Sequence, residues 1–512
     1  MHSPSHKKCP VTSAAITGFA IAALSALIIL FRLDTVPGLS ADEAWVGLRA
    51  MEYQKSGFIS FHGMNWYTGA FHVWLTSKIF DISGPGLLQL RAAGVIFNVL
   101  AAGLLGFFIA RVYGILSAAT LAAVLVALPF YPLESRIAWE VCALQNILAA
   151  AIIISAYYMA TLEEIPLCAA IVFCIASALG TLNHIIFVAL PLSFAAGFFI
   201  WQEHRADKRF SNLVFASACN IAALCVLVIA KKELTDAFWL AHRAAVSLFF
   251  AAVPLCAAFA AWRYGKRGAL LCSSVSEKAG NNPQLKKFLF YLAGAGLAAC
   301  LWFHATAFLG IISGFNVFKR MYSLDLGIVG ATLLFLFAAI VAGEILAAIF
   351  NELKDSQDIN RLFIALCSVA LCATFPLLRN TNSMRYYIVP YVVFACAAAV
   401  FIPGRLRGQK QTYVLLCTTA LLLINCVELL APQVRKPLQF REGWHGETSA
   451  RMMNIAWLAK KMENEKTCRF SGDPFISRPL EFMYRAKPWP CDAAKEFSGQ
   501  YCYTCQEPPY IK

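Results

Sequence analysis

"PGLSADEAW", residues 37–45, follows directly on the first long apolar run of the chain. It places two adjacent carboxylates, Asp42 and Glu43, in a sequence that otherwise avoids charge. Of the 512 residues, 59% are hydrophobic and 14% are charged. Soluble globular proteins carry roughly 25% charge. Mean hydropathy is +0.63, and apolar runs longer than about 18 residues recur along the chain. This pattern predicts an all-α polytopic membrane protein. It also puts "PGLSADEAW" at a membrane surface, where paired acids are a helix cap, a metal site or a reacting centre.

Working outward, hydropathy predicts about 13 transmembrane helices, near 11–31, 91–110, 115–132, 142–160, 165–182, 184–201, 211–230, 244–262, 288–312, 325–350, 362–378, 386–403 and 411–431. The basic "MHSPSHKKCP" before the first run resembles a signal peptide. The run is longer than a signal h-region of about 7–15 residues, so an uncleaved anchor with a cytoplasmic N-terminus is expected. Alternation then places "QEHRADKRF", "RYGKRGALLCSSVSEKAGNNPQLKK" and "RLRGQK" on the cytoplasmic side, as basic loops require. The net charge of +14 is thereby a topology signal, and no nucleic-acid partner is expected. The plasma (inner) membrane is the expected location, with membrane lipids as neighbours.

Four kinds of segment fall on the opposite, extracytoplasmic side. They are the first external loop, 32–90; the turns "YPLESRIAWE", "TLNH" and "KKELTDAFWLAHR"; the later turns "SGFNVFKRMYSLD" and "LLRNTNSMR"; and a polar tail, 432–512. Residues 1–431 are read as the membrane catalytic domain and 432–512 as a small C-terminal tail domain. Most of the 18 cysteines are scattered, many in apolar runs, where Cys behaves as a small hydrophobe. Cys468, Cys491, Cys502 and Cys505 stand in the tail. In an oxidising compartment they suggest one or two disulfides. A zinc site on "CYTC" would lack a second C-x-x-C pair.

The external loop carries two predicted interfacial helices. "SADEAWVGLRAMEYQKSG" has Trp45, Leu48 and Met51 at helical spacing, and Gly57 would end it. "NWYTGAFHVWLTSKIF" places Tyr67, Phe71, Trp74 and Lys78 near one stripe. At the first helix, Pro37 and Gly38 break the chain, and Ser40-Ala41-Asp42-Glu43 matches the capping box S-x-x-E. That reading occupies Glu43. Asp42 is left in the first turn, where the helix N-terminus favours its ionised form. A purely structural reading has both acids complementing the helix dipole.

These residues resemble the start of the GT-C glycosyltransferases, in particular the protein O-mannosyltransferases and lipid A aminoarabinose transferases. The likeness continues in "LLQLRAAGVIFNVLAAGLLGFFIARVYG", which is similar to that group's second span with Arg91 at its outer end. It continues in "LPFYPLESRIAWEVCALQNILAA", with Arg136 and Glu140 in the turn, and in "NSMRYYIVPYVVFA". Together these cover most of the first 160 residues and a patch near 385–390. The resemblance implies an inverting transferase on the outer face of the membrane. It would take a sugar from a polyprenyl-phosphate donor and pass it to a lipid A, protein or glycan acceptor. It also implies that the acid matching Asp42 is the catalytic base, with Glu43 beside it.

Such chemistry needs a carboxylate to deprotonate an acceptor hydroxyl and fixed cations to stabilise the leaving phosphate. Arg385 and Arg379 are candidate phosphate clamps, with Lys319 and Arg320 as reserves; each can equally snorkel to lipid headgroups. Arg136 can pair with Glu140 or orient Asp42. His184 can contact a sugar or be a hydrogen-bonded structural histidine. Arg91 is a supporting cation. His62 and His72 have no metal-ligand spacing such as H-E-x-x-H. No cofactor is expected, with a divalent metal left open. Competing readings are a lipid-linked sugar transporter or flippase, an O-antigen polymerase or ligase type transferase, and a non-catalytic scaffold.

Overall fold

A computed structural model describes residues 9–31, 33–34, 39–127, 130–205, 210–281, 343–354, 358–374, 386, 388–405, 458–472 and 474–499. The expected spans near 288–312 and 411–431, and most of 325–350, lie outside them. So do Lys319, Arg320, Arg379, Arg385, Cys502, Cys505 and the chain break at Pro37–Gly38.

Five helices are long and apolar enough to cross a membrane: Val11–Leu30, Leu87–Tyr113, Glu140–Thr161, Ser211–Glu233 and Arg243–Ser274. Shorter apolar helices accompany them. The chain is thus an integral membrane protein. In lipid, helices associate by close packing, because the apolar effect that drives folding in water is absent. α1 (Val11–Leu30) and α4 (Leu87–Tyr113) show this. A Cβ at Gly18 would lie 2.8 Å from the Gly103 carbonyl oxygen, and one at Gly106 would lie 2.7 Å from Ile21 Cδ1. The glycines let the two backbones touch.

α5 (Ile115–Ala127), the short α6 (Phe130–Glu134) and α7 (Glu140–Thr161) follow. α7 packs on α4, with Gly94 against Ala143. α8 (Leu167–Asn183), α9 (Ala189–Arg205), α10 (Ser211–Glu233) and α12 (Arg243–Asn281) form the next group, with α11 (Asp236–Ala241) before α12. α13 (Ile359–Thr374) lies on α9, and α14 (Ile388–Arg405) on α5.

One boundary differs from the expectation. The span near 244–262 does not give way to a loop at "RYGKRG"; α12 continues for 39 residues. At about 1.5 Å per residue it outruns a hydrocarbon core about 30 Å thick. Its two glycines there are contact points. A Cβ at Gly265 would meet Ile165, and one at Gly268 would meet the Phe215 ring.

The external loop supplies α2 (Ala41–Ser56) and α3 (Phe71–Ser83). α2 starts and ends as expected, at Ser40 and Gly57, the latter with φ of 73°. Asp42, Trp45, Leu48, Arg49 and Glu52 fall along one side of it and are half-buried; the other side is covered. Ala41, Glu43, Ala44, Val46, Gly47, Ala50, Met51 and Tyr53 are all buried, because α3 covers one side and the tail another. α3 begins six residues later than the stripe from Asn65 suggested. Residues 65–69 form a turn instead, in which Gly69 N–H donates to the Asn183 carbonyl (2.8 Å) and Ile185 N–H to the Tyr67 carbonyl (3.0 Å). A tertiary backbone contact has taken the hydrogen bonds a helix would have used.

In the tail, β1 (Thr467–Gly472) pairs in parallel with β2 (Asp492–Gly499), with α15 (Pro474–Ala486) between them in sequence. Cys468 and Cys491 form a disulfide.

Among the described residues, the external loop and the turns at 131–140, 181–184 and 231–243 collect at one end of the bundle; the two later turns lie outside the described residues. His62 Nε2 meets the Leu234 carbonyl at 2.7 Å. Ser60 Oγ donates to Asp236 Oδ1 at 2.8 Å. At the other end, Asn212 donates to the carbonyls of Leu162 and Glu163, and Lys266 pairs with Glu164.

Candidate functional site

The site is built around the start of α2. Ser40 Oγ accepts from Glu43 N–H (3.2 Å) and Glu43 Oε2 accepts from Ser40 N–H (3.3 Å). The capping box is therefore complete. The Glu43 side chain goes further than the motif requires. Its Oε1 accepts from Arg91 Nε (3.0 Å) and from Ala138 N–H (2.8 Å). Its Oε2 accepts from Arg91 Nη2 (2.9 Å). Arg91 also donates from Nη1 to the Leu33 carbonyl at 2.7 Å. Both side chains are wholly buried.

A carboxylate and guanidinium this deep are tolerable only when bidentate and saturated, as here. Four segments meet at this pair: the chain leaving α1, the start of α2, the N-terminal part of α4 and the turn before α7. Glu43 is thus an anchor, and its oxygens are committed to the protein. Asp42, the next residue back, is half-buried in the same first turn. Successive helical positions differ by about 100° in direction, so Asp42 leaves the helix on another side from the anchor.

Arg136 lies beside the same knot. It is buried, and its Nη2 donates to the Ile28 carbonyl at 2.5 Å. Burial, and secondarily Arg91, push its pKa down to about 10, so it is still a cation at neutral pH. His72 of α3 is fully buried, and its Nε2–H donates to the Ala138 carbonyl at 3.1 Å. Burial lowers its pKa to about 4, so it is neutral. Ala138 therefore gives its N–H to Glu43 and its carbonyl to His72, fixing α2, α3 and the turn before α7 together.

Glu140 opens α7, and its carbonyl accepts from Asn183 Nδ2 at 2.7 Å. His184 is buried. Its Nδ1 accepts from Ile186 N–H (3.2 Å), capping the short turn Ile185–Val188. Its ring stands 5.4 Å from those of Tyr67 and Tyr386. Asp42, Glu43, Arg91, Arg136, Glu140 and His184 all belong to one end of the bundle.

A cavity of about 650 Å³ lies among α3, α8 and α12. Phe58 and Phe61 of the external loop, Phe71 and Trp74 of α3, Leu179 and Leu182 of α8, and Trp239 and Phe250 of the α11–α12 region form its walls. Asn183, held by the Glu140 carbonyl, belongs to the same wall. Arg243, at the first position of α12, is the only charged residue lining the cavity among the described residues. It was not singled out from the sequence. The available signal was an arginine closing "KKELTDAFWLAHR" immediately before a span. Among the described residues no group of three or more His, Cys, Asp or Glu side chains is arranged to hold a metal ion.

No family model matches the sequence, and no curated protein matches it. Solved structures similar to this chain include ArnT from Cupriavidus metallidurans bound to undecaprenyl phosphate. That likeness has 14% identity, covers 93% of this chain and 75% of that one, and has a TM-score of 0.44. Another is the archaeal oligosaccharyltransferase AglB from Archaeoglobus fulgidus in complex with an inhibitory peptide and a dolichol-phosphate. It has 15% identity, covers 94% of this chain and 61% of that one, and has a TM-score of 0.49. Both have the GT-C fold, the type that the sequence motifs resemble. The roles of individual residues are argued from geometry alone.

Proposed function

We propose that this protein is an inverting glycosyltransferase, which takes a sugar from a polyprenyl-phosphate donor and attaches it to an acceptor on the extracytoplasmic face of the membrane. The observation that carries the reading is the division of labour between two adjacent acids. Glu43 is sealed into an anchor, and Asp42 is presented from the same rigid helix start. A base must be held in place on a rigid support. An acid pair serving only the helix dipole needs no such anchor.

In this mechanism Asp42 accepts the proton of an acceptor hydroxyl as that oxygen attacks the anomeric carbon. The bond from the anomeric carbon to the phosphate oxygen breaks, and polyprenyl phosphate leaves with the bonding pair. The aromatic-walled cavity suits the proximal isoprenoid units of the donor. Arg243 at its lining suits the phosphate, alongside Arg385, Arg379, Lys319 or Arg320 from segments outside the described residues. Arg91, Arg136, Glu140 and His184 hold the frame. A lipid, protein or glycan acceptor remains compatible with this geometry.

The test is genetic and chemical. Envelope glycans and glycolipids of a deletion strain, compared by mass with its parent, should lack one sugar residue. Wild-type protein should restore it. Asp42→Asn should not, a loss of about 10²- to 10⁴-fold, while still inserting and binding undecaprenyl phosphate. Restoration by Asp42→Asn at the wild-type level would sink the assignment.

A further inference from the structure

We propose that Phe482, in the tail, is a positioning residue for Asp42, and that the Cys468–Cys491 disulfide decides whether it is in place. The inference rests on the reading of Asp42 as the base. It starts from α15, which serves two cores at once. Residues two apart on a helix point about 200° apart. Accordingly Leu480 is buried in the tail's own core with Leu458, Ala459 and Met462. Phe482, 1% exposed, is buried on the other side in the core that α2 and α3 share.

There Phe482 packs in the same cluster as Leu39 and Ala44, which flank the Ser40–Glu43 cap, and its ring lies 6.5 Å from that of Phe80. The fit is close. Gly47 of α2 has no Cβ, and one placed there would collide with the Phe482 ring. The glycine is one turn along from Glu43, on the helix that carries Asp42. α2 is therefore gripped at both ends of its first two turns, by Arg91 from the bundle and by Phe482 from the tail.

The tail half of that grip depends on a small unit. Among the described residues its core holds few side chains, and small units rely on cross-links to stay folded. The disulfide joins Cys468 of β1 to Cys491, immediately before β2. It thereby closes the loop that contains α15. Reduction by a dithiol opens it. One thiolate of the reductant attacks a sulfur of the bond, and its second thiolate resolves the mixed disulfide. Two cysteine thiols result, and the reductant leaves as a cyclic disulfide. With β1 and β2 uncoupled, α15 loses its fixed seat, Phe482 leaves Gly47, and the start of α2 is held from one side only.

The experiment uses the full chain in lipid nanodiscs, with C502S/C505S in all samples so that Cys468–Cys491 is the disulfide under test. Hydrogen exchange of residues 41–56 is followed before reduction, after dithiothreitol, and after reoxidation. We expect exchange there to rise at least about tenfold on reduction and to return on reoxidation, while 140–161 is unchanged. Binding of undecaprenyl phosphate reports that the bundle is intact throughout. In cells, F482A should fail to restore the missing sugar and F482L should restore it in large part, with both still binding that probe.

Unchanged exchange at 41–56 after complete reduction, or full restoration by F482A, overturns the proposal. If D42N transfers sugar while exchange still responds to reduction, the base assignment has failed and the coupling stands. If D42N is inactive and exchange does not respond, the coupling has failed and the base assignment stands.

Discussion

The two ends of the bundle are fastened in opposite ways. At the end carrying α2, the Glu43–Arg91 pair is fully buried and bidentate, and Glu43 also accepts two backbone N–H groups. At the other end, the Lys266–Glu164 pair leaves 73% and 70% of its side chains in solvent. Exposed ion pairs contribute little, because water competes for both charges. A buried pair is costly to assemble and very costly to break from one side. The fold accepts this cost where a helix start must hold one orientation, whereas at the other end, among the described residues, the pairs of Lys266 with Glu164 and Arg361 with Glu352 keep contact with solvent. The contrast marks the α2 end as the one built for geometry.

The contrast can be broken most forcefully at Glu43. Glu43→Gln leaves Arg91 buried without its counter-charge, and should destabilise the protein by about 3–5 kcal/mol. That should appear as loss of folded protein in detergent, and of glycan transfer with it. Arg91→Met should do the same from the other side. The double variant should recover part of the loss, since neither charge is then left alone. Additive losses in this cycle would mean that the pair is not the anchor described.

That anchor was half legible in the sequence. Ser40 and Glu43 are three residues apart, and the capping box is a local rule, so the motif sufficed. Arg91 is 48 residues away, and nothing in the sequence couples it to Glu43; the pairing exists only once α4 lies beside α2. The same division runs through the fold. Long apolar runs gave α1, α4, α7 and α10 within a few residues, because length and hydropathy are properties of one segment. The start of α3 was misplaced because Gly69 N–H bonds to Asn183, a partner from another helix. The cover over Gly47 of α2 was not legible because Phe482, which supplies it, is contributed from more than 400 positions along the chain. Arg243 had only its place before a span as a signal, and became visible only with the aromatic walls around it.

A smaller effect is expected at His72. Its pKa is about 4 when folded, lowered by burial, against about 6.5 unfolded. Above pH 6.5 neither state carries the extra proton, and the folded protein bears no penalty. As pH falls below 6.5 the unfolded state binds a proton that the folded state refuses, so stability declines by about 1.4 kcal/mol per pH unit until about pH 4. Hydrogen exchange of 71–83 should therefore accelerate between pH 6.5 and 4, after correction for intrinsic rates, ahead of exchange in 140–161. His72→Gln keeps an N–H donor for the Ala138 carbonyl and cannot titrate. It should flatten that acid response, and an unchanged response would assign it to another group.

The smallest effect belongs to the opposite end. Lys266→Gln removes one partner of the solvated pair with Glu164, and α12 does not depend on that pair for its position. Gly265 against Ile165 and Gly268 against Phe215 already fix the register there, and packing of this kind is what holds helices together in lipid. The melting temperature of the Lys266→Gln protein should match the wild type within error at both low and high salt. Gly268→Val, two positions along the helix, should destabilise measurably, because its side chain has no room beside the Phe215 ring. If instead Lys266→Gln were the more damaging of the two, charge and not packing would hold this end, and the distinction between the two ends of the bundle would disappear.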